Sequence, residues 1–296
     1  MKTGENDMDT PVEHVYLPTN GIRLQVTQAG SRYGPLVLLL HGFPEFWYGW
    51  RRQVKPLVEA GFRVWAPDQR GYNLSDKPRG LTAYRLDELA KDVLGLIDAA
   101  GVDRCYLAGH DWGAAVAWWV ALRFPDRLHK LAILNGPHPA VMVHTLGSNL
   151  EQLRKSWYMF YFQLPFLPEA MLRNNDWEYM VRMLKGSSKP GTFSQEDIEQ
   201  YRQAWWRKHA IHSMLNWYRA AIRMPPDLSG DLRIRVPTLV MWGAQDTALE
   251  REIAESSLDL CDQARLIYFE NASHWVQLEE AEAVNKHLVE FFSLSN

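Results

Sequence analysis

Apolar and polar positions along this chain follow two alternating rhythms. Short continuous apolar runs, as expected of strands buried on both faces, take turns with stretches where apolar residues recur at helical spacing. The opening differs from the rest. His14–Leu17 and Ile22–Gln28 flank Asn20-Gly21, and that dipeptide between two strand-like runs predicts an antiparallel hairpin. Leu36–Leu40, Arg63–Ala66, Cys105–Ala108, Leu131–Leu134, Pro237–Trp242 and Arg265–Phe269 then read as strands. Leu86, Leu89, Ala90, Val93, Leu96 and Ile97 share a helix face, and Gly101 stops that helix. Gly113–Phe124 and about Ala281–Phe292 read as further helices.

Strand and helix in alternation predict an α/β fold, a mostly parallel sheet flanked by helices. The alternation breaks from Pro139 to about Asp231. That stretch lacks clear strands, is rich in Trp, Tyr, Met, Arg and Leu, and looks helical. A helical insertion followed by a return to the sheet reads as a lid. The expected division is therefore a core over 1–137, a helical lid over 138–230 and the rest of the core over 231–296.

Composition narrows the classes. Apolar residues make up 47% and charged residues 23% of 296 positions, an ordinary globular balance. A net charge of −3 leaves no electrostatic footprint for nucleic acid. No apolar run of membrane-spanning length escapes polar interruption, and Met1–Thr10 has no apolar core of a leader. The two cysteines, Cys105 and Cys261, are too few for a disulfide framework, and a buried free thiol at Cys105 fits a cytoplasmic protein.

The chemistry concentrates in Leu107-Ala108-Gly109-His110-Asp111-Trp112-Gly113-Ala114. It sets Gly-x-Asp-x-Gly between a strand and a helix, where serine hydrolases carry Gly-x-Ser-x-Gly and a sharp turn lifts the nucleophile above the sheet. A plainer reading makes Asp111 a helix cap, a role aspartate fills well. Two further segments bear on the choice, His41-Gly42-Phe43-Pro44-Glu45 and Asp68-Gln69-Arg70-Gly71-Tyr72-Asn73-Leu74-Ser75-Asp76. In their order and spacing, the three together resemble the epoxide hydrolases of the α/β-hydrolase fold, over nearly the whole chain.

A carboxylate that attacks an acyl carbon gives a reactive anhydride. One that attacks a saturated carbon gives a stable ester, so Asp111 as nucleophile points to displacement of an epoxide oxygen or a halide. Water must then hydrolyse the ester with help from a base and an oxyanion hole. The fold keeps its base after the last strand, which selects His274 in Asn271-Ala272-Ser273-His274-Trp275. The order nucleophile, acid, histidine selects Asp246, since the alternative position near Asn135 is not acidic. His110 and His41 read as structural. The fold implies the backbone N–H of Trp112 for the oxyanion hole, and the resemblance adds that of Phe43, with a cis bond to Pro44.

An opened epoxide leaves a basic alkoxide that needs a proton, and a phenol is a suitable donor. Ser156-Trp157-Tyr158 and Asn216-Trp217-Tyr218 resemble the two lid segments that carry paired tyrosines in this family, which implies Tyr158 and Tyr218. Tyr161 shares the helical face of Tyr158 and stays open as its replacement. Trp112 and Ala115 stand where fluoroacetate dehalogenases carry arginines, and Phe43 where haloalkane dehalogenases often carry Asn. The expectation is an enzyme without cofactor or metal, acting on an apolar small-molecule epoxide. A dehalogenase with the same ester mechanism, a non-catalytic binding protein and an esterase stay open. So does a homodimer.

Overall fold

The computed structural model describes residues 10–294. The reading of Met1–Thr10, Thr10 apart, lies outside the described residues. Eight strands form one sheet in the order β1-β2-β4-β3-β5-β6-β7-β8. They are β1 (Glu13–Thr19), β2 (Ile22–Ala29), β3 (Leu36–Leu40), β4 (Arg63–Pro67), β5 (Cys105–His110), β6 (Leu128–Leu134), β7 (Thr238–Gly243) and β8 (Ala264–Phe269). The hairpin β1–β2 turns through Asn20 and Gly21, both at positive φ, as a two-residue turn between twisted strands requires. The pairing of β2 with β4 is also antiparallel, and every other pairing is parallel.

All five residues of β3 are buried, which is why the run reads as continuously apolar. Helices α1 (Arg51–Glu59), α2 (Leu86–Ala99), α3 (Trp112–Arg123), α10 (Glu252–Leu258), α11 (Val276–Glu279) and α12 (Ala281–Ser293) belong to the sheet-bearing parts of the chain. Strand ends fall within three residues of the sequence reading. β5 runs on to His110, so Asp111 follows the strand directly. β6 begins at Leu128, three residues early, because polar His129 and Lys130 mask its pattern. Lys130 is buried, and its ammonium is satisfied by donating to the carbonyls of Phe291 and Leu294 at 2.8 and 2.6 Å.

Between β6 and β7 stand six helices: α4 (Pro139–Ser148), α5 (Leu150–Lys155), α6 (Trp157–Tyr161), α7 (Leu167–Gly186), α8 (Gln195–Trp205) and α9 (Ala210–Arg223). No strand occurs there among the described residues. α7 is kinked at Asn174–Trp177, where the backbone leaves the helical region. Among the described residues, no helix is long and apolar enough to cross a membrane.

One close approach fixes how α3 meets the sheet. A side chain at Gly113 would place its Cβ 2.1 Å from the carbonyl oxygen of Leu40, at the end of β3. That oxygen is backbone in a buried strand and has no room to retreat. Gly113→Ala should therefore push α3 away from β3 and cost about 1–3 kcal/mol of stability. A fall in the denaturant midpoint with an unchanged slope is the expected result. An unchanged midpoint would show that the helix yields freely.

Candidate active site

The chain leaves β5 at His110 and enters α3 at Trp112, so a single residue turns the corner. Asp111 takes it at φ 51° and ψ −121°, a strained backbone for a residue with a Cβ. Its carboxylate makes no capping bond to α3. It turns instead toward the loop after β3, where Phe43 N–H donates to Asp111 Oδ1 at 2.7 Å. Gly42 permits this approach, since a Cβ there would lie 2.3 Å from Oδ1. The Phe43–Pro44 peptide bond is cis. Burial raises the Asp111 pKa; His274, His110 and the backbone N–H groups of Phe43 and Trp112 pull against that rise.

His274 follows β8 in the loop before α11. Its Nε2 lies 3.6 Å from Asp111 Oδ2, and its Nδ1 lies 2.7 Å from Asp246 Oδ2. Burial alone would lower the imidazole pKa. The Asp246 carboxylate, with help from Asp111, overcomes burial and raises it from 6.5 to about 9. Asp246 is itself favoured as an anion: burial works against its charge, and His274, Asn135 and the Ala248 N–H together more than offset that, so its pKa is lowered. Ala248 and Leu249 N–H groups donate to its Oδ1 at 2.8 and 3.0 Å.

The sequence reading passed over Asn135 because it is not an acid. Asn135 shares Asp246 Oδ2 with His274, donating from Nδ2 at 2.8 Å, and accepts the Gly243 N–H at 2.8 Å. Glu45 was also missed, although it stands in the quoted His-Gly-Phe-Pro-Glu segment. It is buried, lies 3.1 Å from His110 Nδ1 and accepts from the Tyr201 hydroxyl at 2.9 Å. His110 Nε2 reaches the backbone carbonyl of His274 at 2.8 Å. An acid inside an apolar, Pro-containing loop was the available signal, because such an acid is rarely buried without a partner. His41 braces its own loop, with Nδ1 against the Gly42 carbonyl at 2.9 Å and Nε2 accepting the Gln69 N–H at 3.0 Å.

Above Asp111 lies a cavity of about 560 Å³, lined by the β-sheet loops on one side and the inserted helices on the other. Asp111, Trp112, Phe43, His274, Tyr158 and Tyr218 all line it. Tyr158 comes from α6 and Tyr218 from α9, and their ring centroids are 5.9 Å apart. Burial raises both phenol pKa values, and the nearby Asp111 charge adds to it. Tyr161 is not among the lining residues. It packs beside Trp157, with centroids 6.0 Å apart. Apart from this polar centre, the lining is mainly apolar, with Leu86, Leu89, Met142 and Leu146 among it. No cluster of His, Cys, Asp or Glu placed to hold a metal occurs among the described residues. Cys105 and Cys261 are both buried free thiols.

A residue lifted on the turn after β5, a histidine after β8 and an acid after β7, on a mostly parallel sheet, define an α/β hydrolase with aspartate in the nucleophile's place. The family profile described as alpha/beta hydrolase fold matches residues 35–281. Epoxide hydrolase 1 of Caenorhabditis elegans is 37% identical over 94% of this chain and 70% of its own length. AB hydrolase superfamily protein YfhM of Bacillus subtilis is 46% identical over 93% of this chain and 96% of its own. The crystal structure of Bacillus megaterium epoxide hydrolase in complex with an inhibitor superposes with a TM-score of 0.86 at 30% identity, covering 95% of this chain and all of that one. The chain belongs to the epoxide hydrolases of the α/β-hydrolase fold.

The raised imidazole pKa has a stability consequence. A group whose folded pKa of about 9 exceeds its unfolded value of 6.5 stabilises the fold fully below 6.5, and the contribution fades as pH rises toward 9. Asp111→Asn removes one of the carboxylates that raise it. NMR titration should then show His274 losing its proton at lower pH than in the parent, and the pH-dependent loss of stability should shift down with it. An unmoved titration would show that Asp111 and His274 are not electrostatically coupled.

Proposed function

We propose that this protein converts an apolar epoxide and water to a vicinal diol through an ester on Asp111. The observation that carries the reading is the meeting in one cavity of an aspartate, a histidine backed by a second aspartate, and two phenols. An acid donor is what distinguishes epoxide opening from halide displacement, since halide leaves without a proton. In this reading residues 138–230 form a lid over the core, and their role is to bring Tyr158 and Tyr218 over the nucleophile.

Asp111 Oδ2 attacks one ring carbon and the bond from that carbon to the epoxide oxygen breaks. The phenols of Tyr158 and Tyr218 hold that oxygen and supply its proton. Their high pKa keeps them protonated at neutral pH, so they are ready as donors. Alkylation turns the Asp111 carboxylate into a neutral ester. One of the charges that raised the His274 pKa is thereby gone, so the imidazole releases its proton, which restores the phenol. Neutral His274, oriented by Asp246, then takes a proton from water while the hydroxide oxygen adds to the ester carbon. Phe43 and Trp112 N–H groups face the oxygen that becomes negative. Collapse breaks the bond to the alkyl oxygen, which takes the proton now held by the imidazolium and leaves as the second hydroxyl of the diol, with the last proton still on the Asp111 carboxyl. The remaining proton returns to His274 and the ion pair with Asp111 is restored.

Trapping the ester tests the order of events. His274→Gln leaves alkylation possible and removes the base for hydrolysis. Incubation with an epoxide such as styrene oxide should raise the protein mass by one epoxide, with the adduct on the peptide that carries Asp111. Asp111→Ala should show neither adduct nor turnover. Tyr158→Phe and Tyr218→Phe should each slow ring opening roughly a hundredfold, the usual loss for one donor to a developing oxyanion, and the double change should nearly abolish it. An adduct on another residue, or normal turnover in the double variant, would refute the assignment.

A further inference from the structure

The inserted helices carry an apolar ridge that the active site does not use. Helical bonding continues past α6, with Phe162 N–H on Tyr158 O at 2.9 Å and Leu164 N–H on Tyr161 O at 3.1 Å. Trp157, Phe160 and Leu164 therefore share one face, and all three are exposed. Met159 and Phe162 point inward and are buried. Leu164-Pro165-Phe166-Leu167 then form four successive exposed apolar residues. Phe166 is 83% exposed and sits at φ 63°, a backbone that costs a phenylalanine free energy.

This turn is held from behind. The buried Arg219 guanidinium donates to the carbonyls of Phe162 and Leu164, each at 2.8 Å, and forms a two-point pair with Glu169 at 2.7 and 3.0 Å. Arg223 donates to Gln163 Oε1 at 3.1 Å and to the Gln163 carbonyl. Two arginines thus fix a strained turn so that its apolar side chains face water. Core packing gives no reason for that, and an exposed contiguous apolar patch marks an interaction surface.

Two observations choose the occupant. The ridge is continuous with the cavity, because Trp157 and Phe160 line the cavity while also reaching solvent. The inserted segment is also basic against the rest of the chain. Residues 138–230 hold eleven Lys and Arg against eight Asp and Glu, where the whole chain holds 32 against 35. Exposed Arg154 and Arg173 flank the ridge in sequence, while the acid nearest the turn, Glu169, is already neutralised by Arg219. Anionic headgroups would satisfy those arginines.

We propose that this ridge docks the protein on an anionic lipid surface, with the cavity opening toward the acyl region where apolar molecules dissolve. The proposal stands apart from the catalytic reading, since docking requires no turnover.

Co-sedimentation tests it with vesicles of equal parts phosphatidylglycerol and phosphatidylcholine at ~0.1 M salt. The parent protein should partition onto the mixed vesicles. Phe166→Ser with Leu167→Ser should weaken that partition about a hundredfold, roughly tenfold for each large apolar side chain kept out of lipid. Arg154→Glu with Arg173→Glu should weaken binding to mixed vesicles severalfold and leave binding to pure phosphatidylcholine unchanged. All four side chains are exposed, so thermal unfolding should match the parent and exclude misfolding. A parent protein that stays in the supernatant, or an apolar double variant that binds like it, overturns the proposal. Equal binding of the arginine variant overturns the anionic assignment. Light scattering that shows a parent dimer split by the Phe166 and Leu167 changes assigns the ridge to a second copy instead.

Discussion

An ionised carboxylate beneath a largely apolar cavity is the constraint on which the rest of this structure depends. Burial alone pushes Asp111 toward its neutral form, and a neutral carboxyl group is a poor nucleophile. Two backbone N–H groups and the His274 imidazole work against that push. Each comes from a different part of the chain. Phe43 follows β3, Trp112 opens α3, and His274 follows β8. The sheet is what makes these distances reproducible, because β3, β5 and β8 run parallel within it and end on the same side.

Two buried polar clusters then keep the loops from drifting. Beneath the imidazole, Glu45 joins the Phe43 loop to His110, and His110 joins to the His274 backbone. Gln277 from α11 approaches both Glu45 and His110, at 3.3 and 3.2 Å. On the other side, Arg70 and Asp92 form a buried two-point pair at 2.6 and 2.7 Å. The Arg70 carbonyl accepts the Trp217 indole N–H at 3.0 Å, and Trp217 is the residue before Tyr218. The phenol at the top of the cavity is thus referenced to the sheet through one indole and one ion pair. Breaking such a pair from one side leaves a buried charge uncompensated, which costs about 3–5 kcal/mol.

The strands, the elbow and the helical break between β6 and β7 were legible because each leaves a periodic or positional signature. Leu36–Leu40 can hardly be anything but a buried strand, and Gly-x-Asp-x-Gly after such a run announces its own turn. The sequence was silent where a residue acts through a partner far along the chain. Asn135 was set aside for lacking a charge, yet it shares the Asp246 carboxylate with His274 across more than a hundred residues. Glu45 looked like part of a motif, and its partner Tyr201 lies 156 positions away. Helix α1 escaped because its buried face includes Arg51 and Gln53, whose side-chain N–H groups donate to partners no local pattern reveals. Arg51 pairs with Asp197 on α8 at 2.8 Å, which fastens an inserted helix beside the Glu45 loop.

On the proposed mechanism, the same geometry lets one charge serve two opposite purposes. While Asp111 is ionised, its proximity to His274 keeps the imidazole protonated and the pair stable. A protonated imidazole cannot activate water, so premature hydrolysis chemistry is suppressed. When the carboxylate becomes an ester, the charge disappears at the very atom that faced the imidazole. Asp246 remains, but it now supports His274 as a base rather than sharing with Asp111 the task of holding it charged. No domain movement is required for this change, only the loss of one unit of charge 3.6 Å away. The separation suits that role. It is too long for a strong hydrogen bond that would tie the imidazole to the nucleophile, and short enough for a large electrostatic effect in a site from which water is mostly excluded. A buried acid–base pair arranged so that the first chemical step switches the second explains why both carboxylates sit on one imidazole.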